Sequence, residues 1–256
     1  MEISFVLDGL FALLLVTLRV GAFLIVAPPF NSNSINMRVR SMLAFAIALP
    51  VFGRYIDQVN LDGTYAMVTA VLWQILAGLA VGFFVSIIFS AIQAAGNLID
   101  MFSSFAMASM LDPLSNTQSA VFGRIYSMLA TTLMFATGGH LLLLRGLMET
   151  FEILPVRPMD IGSLAGRLGS TVDSMFMAAL QIGAPILAVL FLADLALGLV
   201  SRAVPSLNIF QLSFPVKTLL VVTLGALAVA MMPGAVDMIV DGVLREFPTV
   251  MHAIGG

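Results

Sequence analysis

The sequence predicts an all-α integral membrane protein of about six apolar helical segments arranged as helical hairpins, and three observations carry that expectation. Of its 256 residues, 60% are apolar and only 10% are charged, and the mean hydropathy is +1.08, far from the balance of a soluble domain. The charged set, 11 basic and 14 acidic side chains, cannot coat a soluble globule that also carries 17 Met and 19 Phe. Apolar runs of about the 20 residues that cross a bilayer recur along the chain.

Taken in order, the runs are residues 9–29, 39–53, 65–92, 125–144, 174–200 and 216–236. The first follows Glu2 and Asp8 without the basic leader of a cleaved signal peptide, so it is expected to remain, and no lipidation signal is expected at either end. It carries Arg19, and a central charge costs about 2.5–3.5 kcal/mol on insertion scales, so this span should face protein or water. The second is short and stops at Pro50. The third contains a ladder of small residues, Gly78, Gly82, Ser86 and Ser90, continued by Ala94, that lets another helix approach closely. Each step of four advances about 400°, so the stripe winds around the helix and its partner should cross obliquely. That partner is either a helix of the same chain or one of another subunit.

The fourth run has no internal charge. The fifth holds Gly183 and Pro185, which predict a break, and then Asp194. Arg202 and Lys217 flank the connection to the sixth, and the three charges suit either a structural ion-pair set or the polar site of a small multi-span transporter. Counting Lys and Arg in alternate loops gives five on each side, so the positive-inside rule assigns no orientation. The polar stretch 145–173 divides the chain into a half at 1–160 and a hairpin with its tail at 161–256.

Catalytic chemistry has little to stand on. There is no cysteine, and the two histidines, His140 and His252, have no carboxylate or histidine at metal-ligand spacing. No phosphate loop, nucleophile elbow or dinucleotide fingerprint occurs. No catalytic residue, metal or cofactor is therefore expected. With a net charge of −3 and ten scattered arginines, nucleic acid is not expected either.

Residues 96–123 stand apart, being apolar and Met-rich yet studded with Ser, Asp and Pro. Met107 and Met110, with Phe102 and Phe105, offer adaptable apolar side chains, and Asp112 and Pro113 stop any helix. Two readings fit: a re-entrant loop shielded from lipid, or a deformable constriction across a conduit.

Three stretches resemble the FliR/SctT family of type III secretion export-gate proteins. The first is Arg19 with Pro28, Pro29 and Phe30, followed by Arg38 and Arg40. The second is Gly96 and Asp100 leading to Phe105 and then Leu111, Asp112 and Pro113. The third runs from Pro185 through Asp194, Gly198, Arg202, Pro205, Asn208 and Phe210 to Phe214, Pro215 and Lys217. The resemblance implies a non-enzymatic, single-copy subunit that forms, with FliP and FliQ, a pore for unfolded flagellar proteins, with a FliP-like N-terminal half joined to a FliQ-like hairpin. It implies a plug loop at 104–118, carried here by Phe105, Met107, Met110 and Leu111. FlhB, FlhA and the FliE and rod components are the further partners it implies. The place it implies is the bacterial inner membrane at the flagellar basal body, partly held toward the periplasmic face; an injectisome homologue is the alternative.

Overall fold

The computed structural model describes residues 2–32, 35–56, 63–103, 120–153, 161–206 and 208–255. Seven α-helices are described: α1 (Glu2–Val26), α2 (Met37–Ala48), α3 (Thr64–Phe102), α4 (Val121–Ala136), α5 (Gly139–Ile153), α6 (Ile161–Ala203) and α7 (Ile209–Gly255). A 3₁₀ turn, Phe52–Arg54, follows α2, and no strand occurs among the described residues.

The six apolar segments are unequal as spans. Three described helices are long and apolar enough to cross a membrane, Leu7–Val26, Thr64–Phe102 and Gly162–Ala203; two broken pairs, 121–136 with 139–151 and 211–226 with 228–243, raise the number to five. The second run is not a span. α2 has 12 residues, about 18 Å at 1.5 Å per residue, against a hydrocarbon core of about 30 Å. It starts cleanly, because the Asn36 side chain accepts from the Arg38 N–H at 3.1 Å. The fourth run splits into α4 and α5 at Gly138, whose φ of +78° is the left-handed conformation that ends a helix and that glycine adopts without a Cβ clash.

The fifth run departs from expectation in the other direction. α6 continues through Pro185 for 43 residues, so the predicted break is absent. A single proline removes one N–H and crowds the carbonyl four residues back, and apolar helices tolerate that local loss. The third run also extends further: α3 has 39 residues and ends at Phe102, so 96–102, expected to be irregular, is helical. At about 58 Å and 64 Å, α3 and α6 each have about twice the length that a hydrocarbon core requires.

The helices form two compact units, residues 1–88 with 138–172 and 239–256, and residues 89–137 with 173–238. Each unit draws on both sides of the sequence division at residue 160. In the first, α1 buries Val16, Val20, Phe23 and Leu24. Gly78 and Gly82 of α3 sit directly on the α1 backbone: a Cβ at Gly78 would collide with the Arg19 carbonyl and come within 2.8 Å of Ala22 Cβ, and one at Gly82 would reach 3.0 Å from the Phe23 carbonyl. The second unit has α3 residues Ala91, Ile92, Ala95 and Ile99, with Phe122 and Ala130 of α4, Ile186 and Leu190 of α6, and Val221 and Met232 of α7 in its core. Gly225 of α7 lies so close to Phe122 that a Cβ would come within 2.9 Å of its ring.

Gly78→Leu should destabilise the first unit by about 3 kcal/mol or more, because the obstacle is backbone and cannot repack. Gly198→Leu, with nothing within 4 Å, should be neutral within about 1 kcal/mol. Thermal unfolding in detergent, followed through the fluorescence of the sole tryptophan, Trp73, compares the two.

Candidate functional site

The polar chemistry of the second unit collects where α3 ends and α4 begins. A helix start presents unpaired N–H groups, and the N-cap residue of α4, Ala120, has no side chain to accept them. Asp100, two residues before the end of α3, takes that role from a distance: its Oδ1 accepts from the Phe122 N–H and its Oδ2 from the Gly123 N–H, each at 3.0 Å. Asp100 is 4% exposed. Its negative charge also lies at the positive end of the α4 dipole.

Two glycines make this contact geometrically possible. A Cβ on Gly96 would come within 2.6 Å of the Phe122 carbonyl and 2.7 Å of the Gly123 nitrogen, and one on Gly123 would collide with the Asn97 side-chain oxygen. The two backbones can therefore approach only because both positions lack a side chain. Ser103, fully buried, turns its hydroxyl back to the Asp100 carbonyl at 3.1 Å.

The other helix end is capped by a cation. Lys217 of α7 donates from Nζ to the Phe102 carbonyl at 3.2 Å, at the negative end of the α3 dipole. The same ammonium pairs with Asp194 Oδ1 of α6 at 2.6 Å. Lys217 is buried and Asp194 is half-exposed, so the pair tethers α6 and α7 to the end of α3. One carboxylate and one ammonium thus fix both ends of the connection between α3 and α4. What the arrangement does is hold the end of α3 and the start of α4 in place.

In the first unit, Arg19 is 1% exposed. Its Nε donates to Gln74 Oε1 at 2.6 Å, its Nη1 donates to the Thr150 carbonyl at 3.1 Å, and the guanidinium lies 4.3 Å from the centre of the Phe151 ring. Tyr55 meets the same ring edge-on at 5.2 Å. A charge in an apolar helix is thereby satisfied inside the protein.

Of the residues singled out from sequence, Asp194 and Lys217 come together. Arg202 is exposed and joins no ion pair among the described residues. Gly78 and Gly82 lie on α1 of the same chain, while Ser86 and Ser90 are half-buried. Phe105, Met107, Met110 and Leu111 lie outside the described residues. Sequence reasoning quoted Asp100 but missed its capping role, and it missed Gln74, Thr150 and Phe151 altogether. The Gly96 and Asp100 spacing, one helical turn, was the available signal for the first; nothing local marks the others. No group of three potential metal ligands occurs among the described residues.

Residues 10–243 match the family described as bacterial export proteins, family 1. The chain belongs to this family. Among family 1 bacterial export proteins it is similar to the flagellar biosynthetic protein FliR of Escherichia coli strain K12, at 35% identity over 84% of this chain and 82% of that one. It is 32% identical to the flagellar biosynthetic protein FliR of Bacillus subtilis strain 168, over 83% of each. The Yop proteins translocation protein T of Yersinia pestis matches at 27% identity over 78% of each. The match to the bacterial export family takes in both capping residues, Asp100 and Lys217.

Asp100→Ala should cost about 1–3 kcal/mol, since it strands two buried N–H groups as well as losing a charge-assisted cap. Asp100→Asn, which keeps one acceptor oxygen, should cost less. Limited proteolysis should show cleavage between residues 104 and 119 rising in the order wild type, Asp100→Asn, Asp100→Ala.

Proposed function

We propose that this chain is a subunit of a flagellar type III protein-export gate, assembled with FliP and FliQ into the pore through which unfolded flagellar proteins leave the cytoplasm. The observation that carries the reading is the double cap at the base of residues 104–119, in a chain whose flagellar relatives are 32% and 35% identical to it. A conduit for an extended chain leaks unless something soft fills it. Phe105, Met107, Met110 and Leu111 are suited to that filling, because flexible apolar side chains exclude water and repack around unrelated cargo. A seal that must yield at its tip and not detach needs rigid ends, and Asp100 and Lys217 supply them.

The chain is a gate part and not a motor, since the sequence offers no nucleotide site. Its place is the inner membrane at the basal body, with FlhA, FlhB and the FliE and rod components as neighbours. The Yersinia relative, at 27%, makes an injectisome role the second reading. The 1–160 half as FliP-like and 161–256 as FliQ-like belong to the same proposal.

A large apolar surface supports the need for partners. Phe176, Met177, Phe191, Leu192, Leu195 and Leu199 of α6 are all more than half exposed, and only 22% of the most apolar stretch of that helix is buried. Expressed alone, the chain should be polydisperse in mild detergent, and co-expressed FliP and FliQ should convert it to a complex of defined mass. A monodisperse monomer that moves a small solute in liposomes would instead identify a transporter.

Shortening Phe105–Ser115 should make the assembled complex leak ions with its subunits retained, and Met107→Ser with Met110→Ser should leak less. Conductance and subunit content measured on one sample decide this. Lost assembly without a leak is the outcome for a purely structural loop, and tight shortened variants would sink the plug assignment.

A further inference from the structure

Within the second unit, α4, α6 and α7 enclose a partly open cavity of about 350 Å³, within the size range of small-molecule sites. Its walls are apolar, with Ile182, Pro185, Leu224 and Met232 among them, and no lining residue is charged. Met231 and Met238, both more than half exposed, also line it and give it adaptable edges.

Two polar side chains, Tyr126 and Gln181, stand in these walls. Tyr126 is 2% exposed, and its phenol has no hydrogen-bond partner among the described residues. The phenol oxygen is not one of the sealed atoms without a partner, which among the described residues are Arg40 Nε and Thr218 Oγ1, so it opens onto the cavity, where a ligand's hydroxyl or carbonyl can pair with it. Gln181, an exposed residue, lines the same space and offers its side-chain amide at the cavity's edge. Its backbone carbonyl lacks the ordinary helical donor, because the residue four positions on is Pro185.

We infer that this cavity is a binding site for an uncharged, single-chain apolar molecule carrying one hydroxyl or carbonyl group, which pairs with Tyr126 and Gln181. The volume admits about a dozen groups of roughly 30 Å³ each, which suits one medium-length chain. The absence of charge in the walls excludes a phospholipid headgroup as the anchored part. The site goes beyond the export reading and does not depend on it. It lies one helical turn beyond the Gly123 amide that Asp100 holds, on the same helix α4.

The test uses a medium-chain alcohol bearing a photoreactive diazirine, applied to the full chain in detergent and in native membranes, with labelled peptides identified by mass spectrometry. Labelling should be saturable, should fall within 224–238 and around Tyr126, and should be competed by unlabelled decanol. Ala228→Phe, which fills the space, should abolish it, and Tyr126→Phe, which keeps the ring, should weaken half-saturation about fivefold. Labelling that does not saturate, or that persists unchanged in Ala228→Phe, overturns the site. So does labelling in detergent that disappears in native membranes, because the cavity is then the seat of a partner segment.

Discussion

Helix ends in an apolar protein have no water to complete their hydrogen bonds, and the cap that Asp100 places on α4 answers that constraint from another helix. Much of the second unit follows from it. The carboxylate can reach the Phe122 and Gly123 amides only if α3 and α4 nearly touch, and that demands glycine at both 96 and 123. The close approach in turn brings Phe122 into the core, where α7 can pack on its ring only through another glycine, Gly225. Lys217, on the same α7, then reaches the last carbonyl of α3. A helix start and a helix stop are completed within one neighbourhood.

Arg19 obeys the same constraint with different means. A guanidinium has five donors in a rigid fork, and the first unit supplies an amide oxygen from Gln74 and, from the neighbouring residues Thr150 and Phe151, a backbone carbonyl and an aromatic face. The charge therefore acts as a crosslink between α1, α3 and α5. Its burial also explains why a residue so costly in an apolar span is compatible with insertion: once folded, it meets protein and not hydrocarbon.

Length and exposure bear on the setting of the chain. Helices of 39 and 43 residues exceed what a bilayer core needs, and the apolar face of α6 is open. Such surfaces suit a subunit whose neighbours take part in its burial. Membership of the bacterial export family agrees with a protein that works in an assembly, and the paired caps hold the end of α3 and the start of α4.

Composition and the length of the apolar runs determined the helical membrane class, because a bilayer leaves only helices and closed barrels to satisfy the backbone, and continuous runs of about 20 apolar residues suit helices. They also determined which charges were worth attention, and the spacing of small residues marked the faces of α3. Tertiary structure decided the rest. Whether Pro185 broke its helix, whether run 39–53 could span and where run 125–144 divided depended on a few kcal/mol of local competition that apolarity does not encode. The partners of Asp100 lie 22 and 23 residues on, and those of Arg19 lie 55 and 131 residues away. Periodicity reports the face on which a side chain sits, but only packing decides which distant backbone group arrives opposite it.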